Sequence, residues 1–143
     1  GQVSSGGWIG RRGLVEAAAR VIARHGVRAV SPRAPARSLS GGNLQKFMVG
    51  RELDGAPRVL LAAQPTWGVD IGAAARIHQA LIDLRDAGGA ALIISEDLDE
   101  LLALCDRLAV MAGGRLSPAV ARAQVTADML GRWMEGGWAH DPA

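Results

Sequence analysis

The sequence predicts an α/β fold, because two short apolar runs flank a segment with helical periodicity. The runs, Val59–Ala63 and residues 90–95, have the length and apolar character of strands that are buried on both faces. Between them, a helix is predicted to begin after Asp70 and to end near residues 88–89. A strand–helix–strand order implies parallel strands joined by a right-handed crossover. The apolar face of this helix comprises Ala73, Ala74, Ile77, Leu81 and Leu84.

The remaining elements follow from apolar spacing and from turn residues. Residues 1–10 are rich in Gly and Ser and are predicted to form a loop or the cut edge of a domain. In chain order we then expect an amphipathic helix over 11–25, an extended connector over 31–37, a helix over 43–53 that residues 54–57 end, a helix over 97–105, a strand over 107–111, a hairpin turn at 112–114 into 115–116, and a last helix that Thr126 caps. The last helix carries Met129, Leu130, Trp133 and Met134 on one side.

The amino-acid composition limits the classes of function that this chain can have. The chain has 143 residues, enough to bury a core in one small domain, and a net charge of only +2. Its arginines are interleaved with acids, so no nucleic-acid-binding surface is expected. Cys105 is the only cysteine, which excludes an internal disulfide, and we expect a buried, inert thiol. The three histidines lack metal-ligand spacing, so no metal site is predicted. No apolar run has the length of a membrane span, so we expect a soluble chain.

The octapeptide at residues 39–46, Leu-Ser-Gly-Gly-Asn-Leu-Gln-Lys, is the most informative motif. Gly41 and Gly42 leave the backbone bare for close approach to a ligand. Ser40 stands at the expected N-cap of the helix that follows. Unpaired N–H groups and the positive end of a helix then converge on one point, where an anion binds favourably.

This octapeptide resembles the signature motif of ATP-binding-cassette (ABC) ATPases, and residues 64–70 follow it at the spacing of that family. The chain resembles the C-terminal half of such a nucleotide-binding domain, in the form of the second cassette of tandem ATPase subunits that serve sugar and nucleoside importers. The details that indicate this form are Asn43, where most cassettes have Gln, and residues 62–66 and 95–101. The resemblance implies part of a P-loop NTPase (RecA-like) core with mostly parallel strands, together with part of the ABC helical subdomain.

A Walker A motif is absent from this sequence, because its lysine must follow glycine and the only lysine, Lys46, follows Gln45. We therefore expect the chain to be a fragment that lacks the Walker A half of the fold and does not bind ATP tightly alone. The expected domains are a portion of the helical subdomain with the signature motif over residues 1–57, half of the RecA-like core over 58–118, and a helical tail over 119–143.

Three residues depart from the family pattern, and all three belong to the ATP site whose Walker A motif lies in the missing half of this same domain. The resemblance places Ala63 and Gln64 where the Walker B segment carries Asp and Glu, and Glu96 where it carries the switch histidine. A methyl group does not attract Mg²⁺, and a glutamine amide does not accept a proton near neutral pH. A carboxylate at the switch position repels a γ-phosphate. We therefore expect this site to be catalytically degenerate.

The signature motif serves the other site, since the resemblance implies a head-to-tail pair of cassettes. Residues Ser40, Gly41, Gly42, Asn43 and Gln45 are the candidates for binding, in trans, an ATP with Mg²⁺ that is held mainly by the partner cassette. Residues 66–70, which end at Asp70, resemble the D-loop that crosses the interface between two cassettes in this family. Asp70 is also a candidate N-cap. Trp67 either lies at that interface or covers the end of the strand.

The resemblance implies an importer ATPase part that is cytoplasmic and lies at the inner face of the plasma membrane through a permease. Its partners are then a second ATP-binding cassette and transmembrane permease subunits, with no nucleic acid. Two alternatives remain at this point: a non-transport ABC ATPase of DNA repair or translation, and a non-catalytic interaction remnant. The reading frame upstream of Gly1 separates the remnant from the importer, because only the importer requires a Walker A motif there.

Overall fold

A computed structural model describes residues 4–5 and 8–140, which divide into two compact units, Gly1–Glu96 and Asp97–Ala143. The first unit comprises β1 (Ser4–Ser5), β2 (Trp8–Ile9), α1 (Arg11–Arg24), α2 (Gly41–Asp54), β3 (Val59–Ala63), α3 (Ile71–Asp86) and β4 (Ala90–Ile94), with a 3-10 turn at Ala36–Ser38. The second comprises α4 (Leu98–Leu104), β5 (Arg107–Leu108), β6 (Met111–Ala112), β7 (Arg115–Leu116), β8 (Val120–Ala121) and α5 (Ala127–Met134), with 3-10 turns at Arg122–Gln124 and Gly137–His140.

The predicted parallel pairing is confirmed in the first unit, where β3 and β4 pair in register from Val59↔Ala90 to Ala63↔Ile94. Helix α3 connects the two strands and packs on β4. Its predicted apolar face is confirmed, since Ala73, Ile77 and Leu81 are buried at intervals of four residues. The α/β prediction therefore holds for the part of the fold that carries the motifs.

The prediction that both faces of these strands are buried is wrong for the chain as described. Leu60 is buried, but Val59 is 62% exposed, Leu61 70%, Leu92 56% and Ile94 55%. Successive side chains of a strand point to opposite faces, so one face of the sheet is covered and the other is apolar and open. An unbroken apolar run predicts that two layers cover a strand, but it does not say whether the same chain supplies both layers.

Helices α1 and α2 pack against each other in the first unit. Arg20 and Arg24 both lie within 4.0 Å of the Asp54 carboxylate, which ties α1 to the last residue of α2. Gly50 permits the close packing, because a Cβ there would lie 2.5 Å from the ring of His25. Burial and the neighbouring Arg24 lower the pKa of His25, which favours the neutral imidazole.

The second unit differs from the prediction in its strands. The strand expected over residues 107–111 is divided into β5 and β6, which pair with β8 and β7 respectively, both antiparallel. The predicted hairpin turn is confirmed: Gly113 and Gly114 join β6 to β7 with positive φ. Strand β8 was not predicted, because a two-residue strand carries no periodic signal.

The last helix, α5, begins as predicted, with the Thr126 hydroxyl oxygen accepting a hydrogen bond from the N–H of Met129. Leu130 and Trp133 are buried as expected, but Met134 is half exposed. Cys105 is half-buried, and burial raises the pKa of its thiol, in line with an inert group.

At the amino terminus, a loop was expected over residues 1–10. The structure instead pairs β1 with β2, while residues 1–3 and 6–7 lie outside the described residues, as do residues 141–143 of the expected helical tail. Among the described residues, no helix is both long and apolar enough to cross a membrane.

Candidate functional site

The signature segment forms the start of α2, with Ser40 at the N-cap as predicted. The Ser40 hydroxyl makes no cap hydrogen bond to the helix backbone; its oxygen accepts from the side-chain nitrogen of Asn43 at 2.9 Å. The backbone N–H of Arg28 donates to the side-chain oxygen Oδ1 of Asn43 at 2.8 Å, which defines the orientation of the Asn43 side-chain amide. With its oxygen engaged in this way, the Ser40 hydroxyl directs its proton elsewhere, as a donor.

The two glycines of this turn have different surroundings. A Cβ on Gly41 would meet nothing within 4 Å, so its backbone borders open space. A Cβ on Gly42 would lie 2.7 Å from the carbonyl oxygen of Gly68, closer than atoms of this kind approach. The first intrahelical hydrogen bond runs from Leu44 to Ser40, and the N–H groups before it have no intrahelical acceptor. Gly41 therefore leaves room for an anion, whereas Gly42 leaves room for the loop after β3.

Gln45 and Lys46 extend the contact between α2 and this loop. The Gln45 amide nitrogen donates to the backbone oxygens of Gln64, at 2.9 Å, and Pro65, at 3.1 Å. The Lys46 ammonium lies 2.8 Å from the Asp70 carboxylate. Gln45 was singled out from the sequence as a nucleotide contact, and that role stays a prediction; the structure gives its amide nitrogen an intrachain role.

Asp70 occupies the predicted N-cap of α3, and the helix begins at the next residue, Ile71. One carboxylate oxygen accepts from the N–H of Ala73 at 2.8 Å, and the other pairs with Lys46. The Lys46 hydrogen bond, followed by that from Ala73, lowers the pKa of Asp70. The carboxylate is therefore ionised at neutral pH and links the starts of two helices.

At the end of β3, Gln64 adopts a φ of +49°, which is unfavourable for a residue with a Cβ. Its N–H donates to the carbonyl of Ile94 at 2.7 Å, and its own carbonyl accepts from the N–H of Trp67 at 3.1 Å. With the Gln45 amide also bound to this carbonyl, three contacts hold Gln64 in the strained conformation. Strain of this kind is concentrated at functional sites.

An open cavity of about 350 Å³ lies beside this strand end, lined by Gln45, Ala63, Gln64, Trp67 and Glu96. Trp67 is 75% exposed, so it does not cover the end of the strand. The structure thus brings together Ala63, Gln64 and Glu96, the three departures that the sequence indicated. The side chains of these three residues provide one methyl group, one amide and one carboxylate, and the Gln64 amide cannot act as a base near neutral pH.

The cavity does not fit a divalent cation. Mg²⁺ requires oxygen ligands in near-octahedral geometry, and a single carboxylate beside a methyl group does not provide them. Throughout the part of the chain that the structure describes, no group of three or more His, Cys, Asp or Glu residues is placed to hold a metal ion.

Sequence reasoning missed the ion pair between Lys46 and Asp70 and the packing of Gly42 on Gly68. One signal for them was available: residues 42, 45 and 46 have i, i+3, i+4 spacing, which places them on one helix face. What that face contacts was not visible in the sequence, since the loop lies some twenty residues further along the chain.

Comparison with curated proteins identifies several import ATP-binding proteins, although no protein-family model matches the chain. It is 43% identical over 123 residues to the guanosine import ATP-binding protein NupO of Bacillus subtilis, covering 86% of this chain and 24% of that protein. It is 45% identical over 111 residues to the nucleoside import ATP-binding protein NupA of Lactococcus lactis, covering 78% of this chain and 22% of that protein. It is 42% identical over 125 residues to the ribose import ATP-binding protein RbsA 1 of Streptomyces avermitilis, covering 87% of this chain and 24% of that protein. The chain therefore spans about a quarter of the length of the curated relatives it matches.

Solved structures give the same assignment of fold. The ATP-binding cassette MJ0796, in a dimeric post-hydrolysis state with ADP and Pi, matches with a TM-score of 0.68 at 20% identity, over 82% of this chain and 51% of that one. MJ1267, an ATP-binding cassette of an ABC transporter, matches with a TM-score of 0.65 at 25% identity, over 92% and 52%. The sequence relatives and the fold agree, and the chain belongs to the nucleotide-binding domains of the ATP-binding-cassette family.

Proposed function

We propose that this chain is part of the ATP-binding subunit of an ABC importer for a sugar or a nucleoside. In this proposal the chain contributes the signature motif that clamps an ATP held mainly by a partner cassette, while its own site is catalytically degenerate. The observation that carries the proposal is the first turn of α2, where Ser40 is exposed, its hydroxyl is directed by Asn43, and Gly41 borders open space.

The chemistry of an anion clamp supports this role. The hydroxyl of Ser40 and the N–H groups of Gly41 and Gly42 precede the first hydrogen bond of a 14-residue helix. Each hydrogen bond to a charged phosphate contributes roughly 1.5–3 kcal/mol. The helix terminus adds about 0.3–1 kcal/mol, up to about 2 when partly buried. Removing a single preorganised donor at such a site lowers kcat by roughly 10²–10³.

The strand end supports the second half of the proposal. Ala63 offers Mg²⁺ no ligand, and Gln64 offers an attacking water no base. Glu96, on the rim of the same cavity, places a negative charge where the family places a hydrogen-bond donor. Because the chain's own residues do not fit the cation, hydrolysis is assigned to the site of the partner cassette. The Mg²⁺ that ATP requires is then bound there.

The substrate class and the partners rest on the relatives, whose names describe import of guanosine, nucleosides and ribose. By this proposal the chain works with a second ATP-binding cassette and with permease subunits, at the cytoplasmic face of the membrane. The domain limits given above, with the signature portion over residues 1–57 and half of the core over 58–118, belong to the same proposal.

The proposal is tested by measuring ATP hydrolysis in the ATP-binding subunit that contains this chain. Ser40→Arg places a large cation in the turn that receives the phosphate, and we expect a loss of at least about 100-fold in kcat. Gln64→Ala removes a side chain that has no catalytic role in this proposal, and we expect activity within about twofold of the parent. Arg12→Met, which removes an exposed ion pair on α1, serves as the control.

The reverse pattern would overturn the proposal. If Gln64→Ala abolishes hydrolysis and Ser40→Arg does not, the site at the end of β3 is the catalytic one. If the subunit hydrolyses ATP normally with both substitutions, the signature turn does not clamp ATP at all.

A further inference from the structure

The start of α2 is bound to the loop after β3 by three consecutive contacts on one helix face. The bare Cα of Gly42 packs on the Gly68 carbonyl, the Gln45 amide holds two backbone oxygens, and Lys46 pairs with Asp70. We refer to the loop, residues 64–70, as the D-loop segment. These contacts lie within the two turns that follow Ser40, so they determine where Ser40 is held.

Lys46 makes the charged contact of this set, and its environment is distinctive. It is the only lysine of the chain, and its side chain is just 11% exposed. A lysine that is this well covered loses much of its hydration, so its ammonium depends on the Asp70 carboxylate 2.8 Å away. The coverage of the cation distinguishes this pair from that of Arg12 with Glu16, since the Arg12 side chain is 94% exposed, whereas both carboxylates are exposed to a similar extent.

Asp70 in turn serves two helices at once. One of its oxygens caps α3 through Ala73, and the other binds Lys46. A displacement of the D-loop segment is therefore transmitted to the start of α2 through Lys46, and to the start of α3 through the cap. The Gln45 amide, which binds the carbonyls of Gln64 and Pro65, resists rotation of α2 relative to the segment.

We propose that Lys46 is a positioning residue for the signature motif, which fixes the first turn of α2 to the D-loop segment through Asp70 so that the two move as one body. Its consequence for catalysis rests on the function proposed above, because only a signature turn that clamps ATP gives this linkage an effect on hydrolysis. The linkage itself concerns the chain alone and is measurable without nucleotide.

Amide hydrogen exchange on the ATP-binding subunit that contains this chain, measured without nucleotide, tests the linkage. Two N–H groups act as reporters: Leu44, bonded to Ser40 in the signature turn, and Val69, bonded to Thr66 in the D-loop segment. Asp70→Asn removes the charge but retains an oxygen that can cap α3, whereas Lys46→Met removes the ammonium and retains most of the side-chain length. We expect each substitution to accelerate exchange at both reporters by about twofold to fivefold, the range that a partly covered ion pair supports.

The result that distinguishes a linkage is the effect of a substitution in one segment on amide exchange in the other. Asp70→Asn must accelerate exchange at Leu44, and Lys46→Met must accelerate it at Val69, with the double variant no faster than the faster single variant. Lys46→Arg should restore slow exchange, and Arg12→Met should leave both reporters unchanged. If each substitution affects only its own segment, or if the two effects multiply in the double variant, the linkage is overturned.

Hydrolysis by the ATP-binding subunit then tests the consequence. We expect Lys46→Met to lower kcat by about threefold to tenfold with KM for ATP within about twofold, because the signature turn acts when the clamp closes. Lys46→Arg should retain most of kcat. If Ser40→Arg abolishes hydrolysis while Lys46→Met leaves kcat unchanged, the positioning role fails and the proposed function stands. If Ser40→Arg has no effect, the proposed function fails, and exchange alone decides the linkage.

Discussion

Replacing each glycine of the signature turn with alanine separates its two roles. In Gly42→Ala the new Cβ would lie 2.7 Å from the carbonyl oxygen of Gly68 and 3.6 Å from the Cα of Val69. Backbone on both sides must therefore move, since neither contact is the flexible end of a side chain. In Gly41→Ala the new methyl group meets nothing within 4 Å.

The magnitudes follow from overpacking and from helix propensity. Overpacking costs about 1–3 kcal/mol, and replacing glycine in a helix with alanine returns about 0.5–1 kcal/mol. We therefore expect Gly42→Ala to lower the free energy of unfolding by about 0.5–2 kcal/mol, which lowers Tm by roughly 2–7 °C in a chain of this size. Gly41→Ala should leave Tm unchanged or slightly raised.

The assays are thermal and urea unfolding of the 143-residue chain, followed by ATP hydrolysis in the containing subunit. Gly41→Ala should fold normally yet reduce hydrolysis, because its methyl group occupies space that the structure leaves open for an anion. A Gly42→Ala variant as stable as Gly41→Ala would contradict this packing, since the D-loop segment then does not lie against α2. A Gly41→Ala variant that hydrolyses ATP at the parent rate would show that no anion binds beside this glycine.

Three further outcomes are expected. Asn43→Asp should reduce ATP hydrolysis at least about tenfold with little loss of stability, because a carboxylate draws the Ser40 hydroxyl proton away and repels phosphate, and Asn43→Gln should retain more activity. The folded-state pKa of His25 is lowered, so its contribution to stability is complete above the unfolded pKa of about 6.5 and is lost as pH falls from that value through the lower folded-state pKa; urea unfolding between pH 5 and 8 should show this slope, and His25→Gln should reduce it. The isolated chain should self-associate through its open sheet face, and Leu61→Lys with Leu92→Lys should shift sedimentation toward monomer; a parent chain that sediments as a monomer would contradict this.

The elements that the sequence predicted well are those with long periodic signals. Helix α3 was predicted with its face and its cap, because four-residue spacing and an N-terminal Asp act within the helix itself. Strands β3 and β4 were predicted from apolar runs, but their open face was not. Burial depends on what packs against a strand, and the apolar character of the strand does not identify the layer that covers it.

The candidate site divides in a similar way. The motif predicted Ser40 at the start of a helix, which follows from local geometry. It also predicted a bare backbone at both Gly41 and Gly42, of which only Gly41 borders open space. Three contacts were not predicted: that of Gly42 with Gly68, that of Gln45 with the strand end, and that of Lys46 with Asp70. Each joins residues about 19 to 26 positions apart, a distance at which side-chain type alone does not specify a partner.

In the proposed function Ser40 meets a nucleotide that is bound mainly by another cassette, and protection of a thiol at this position measures that contact directly. Ser40→Cys is introduced into the ATP-binding subunit, with Cys105 and any other cysteine replaced by serine, and its rate of labelling by a thiol reagent is measured with and without a non-hydrolysable ATP analogue. We predict rapid labelling without nucleotide, and labelling slowed at least about tenfold with the analogue, because a closed clamp buries the site. Gln64→Ala should leave that protection intact. Labelling that stays equally fast while the analogue is bound would show that Ser40 does not meet the nucleotide.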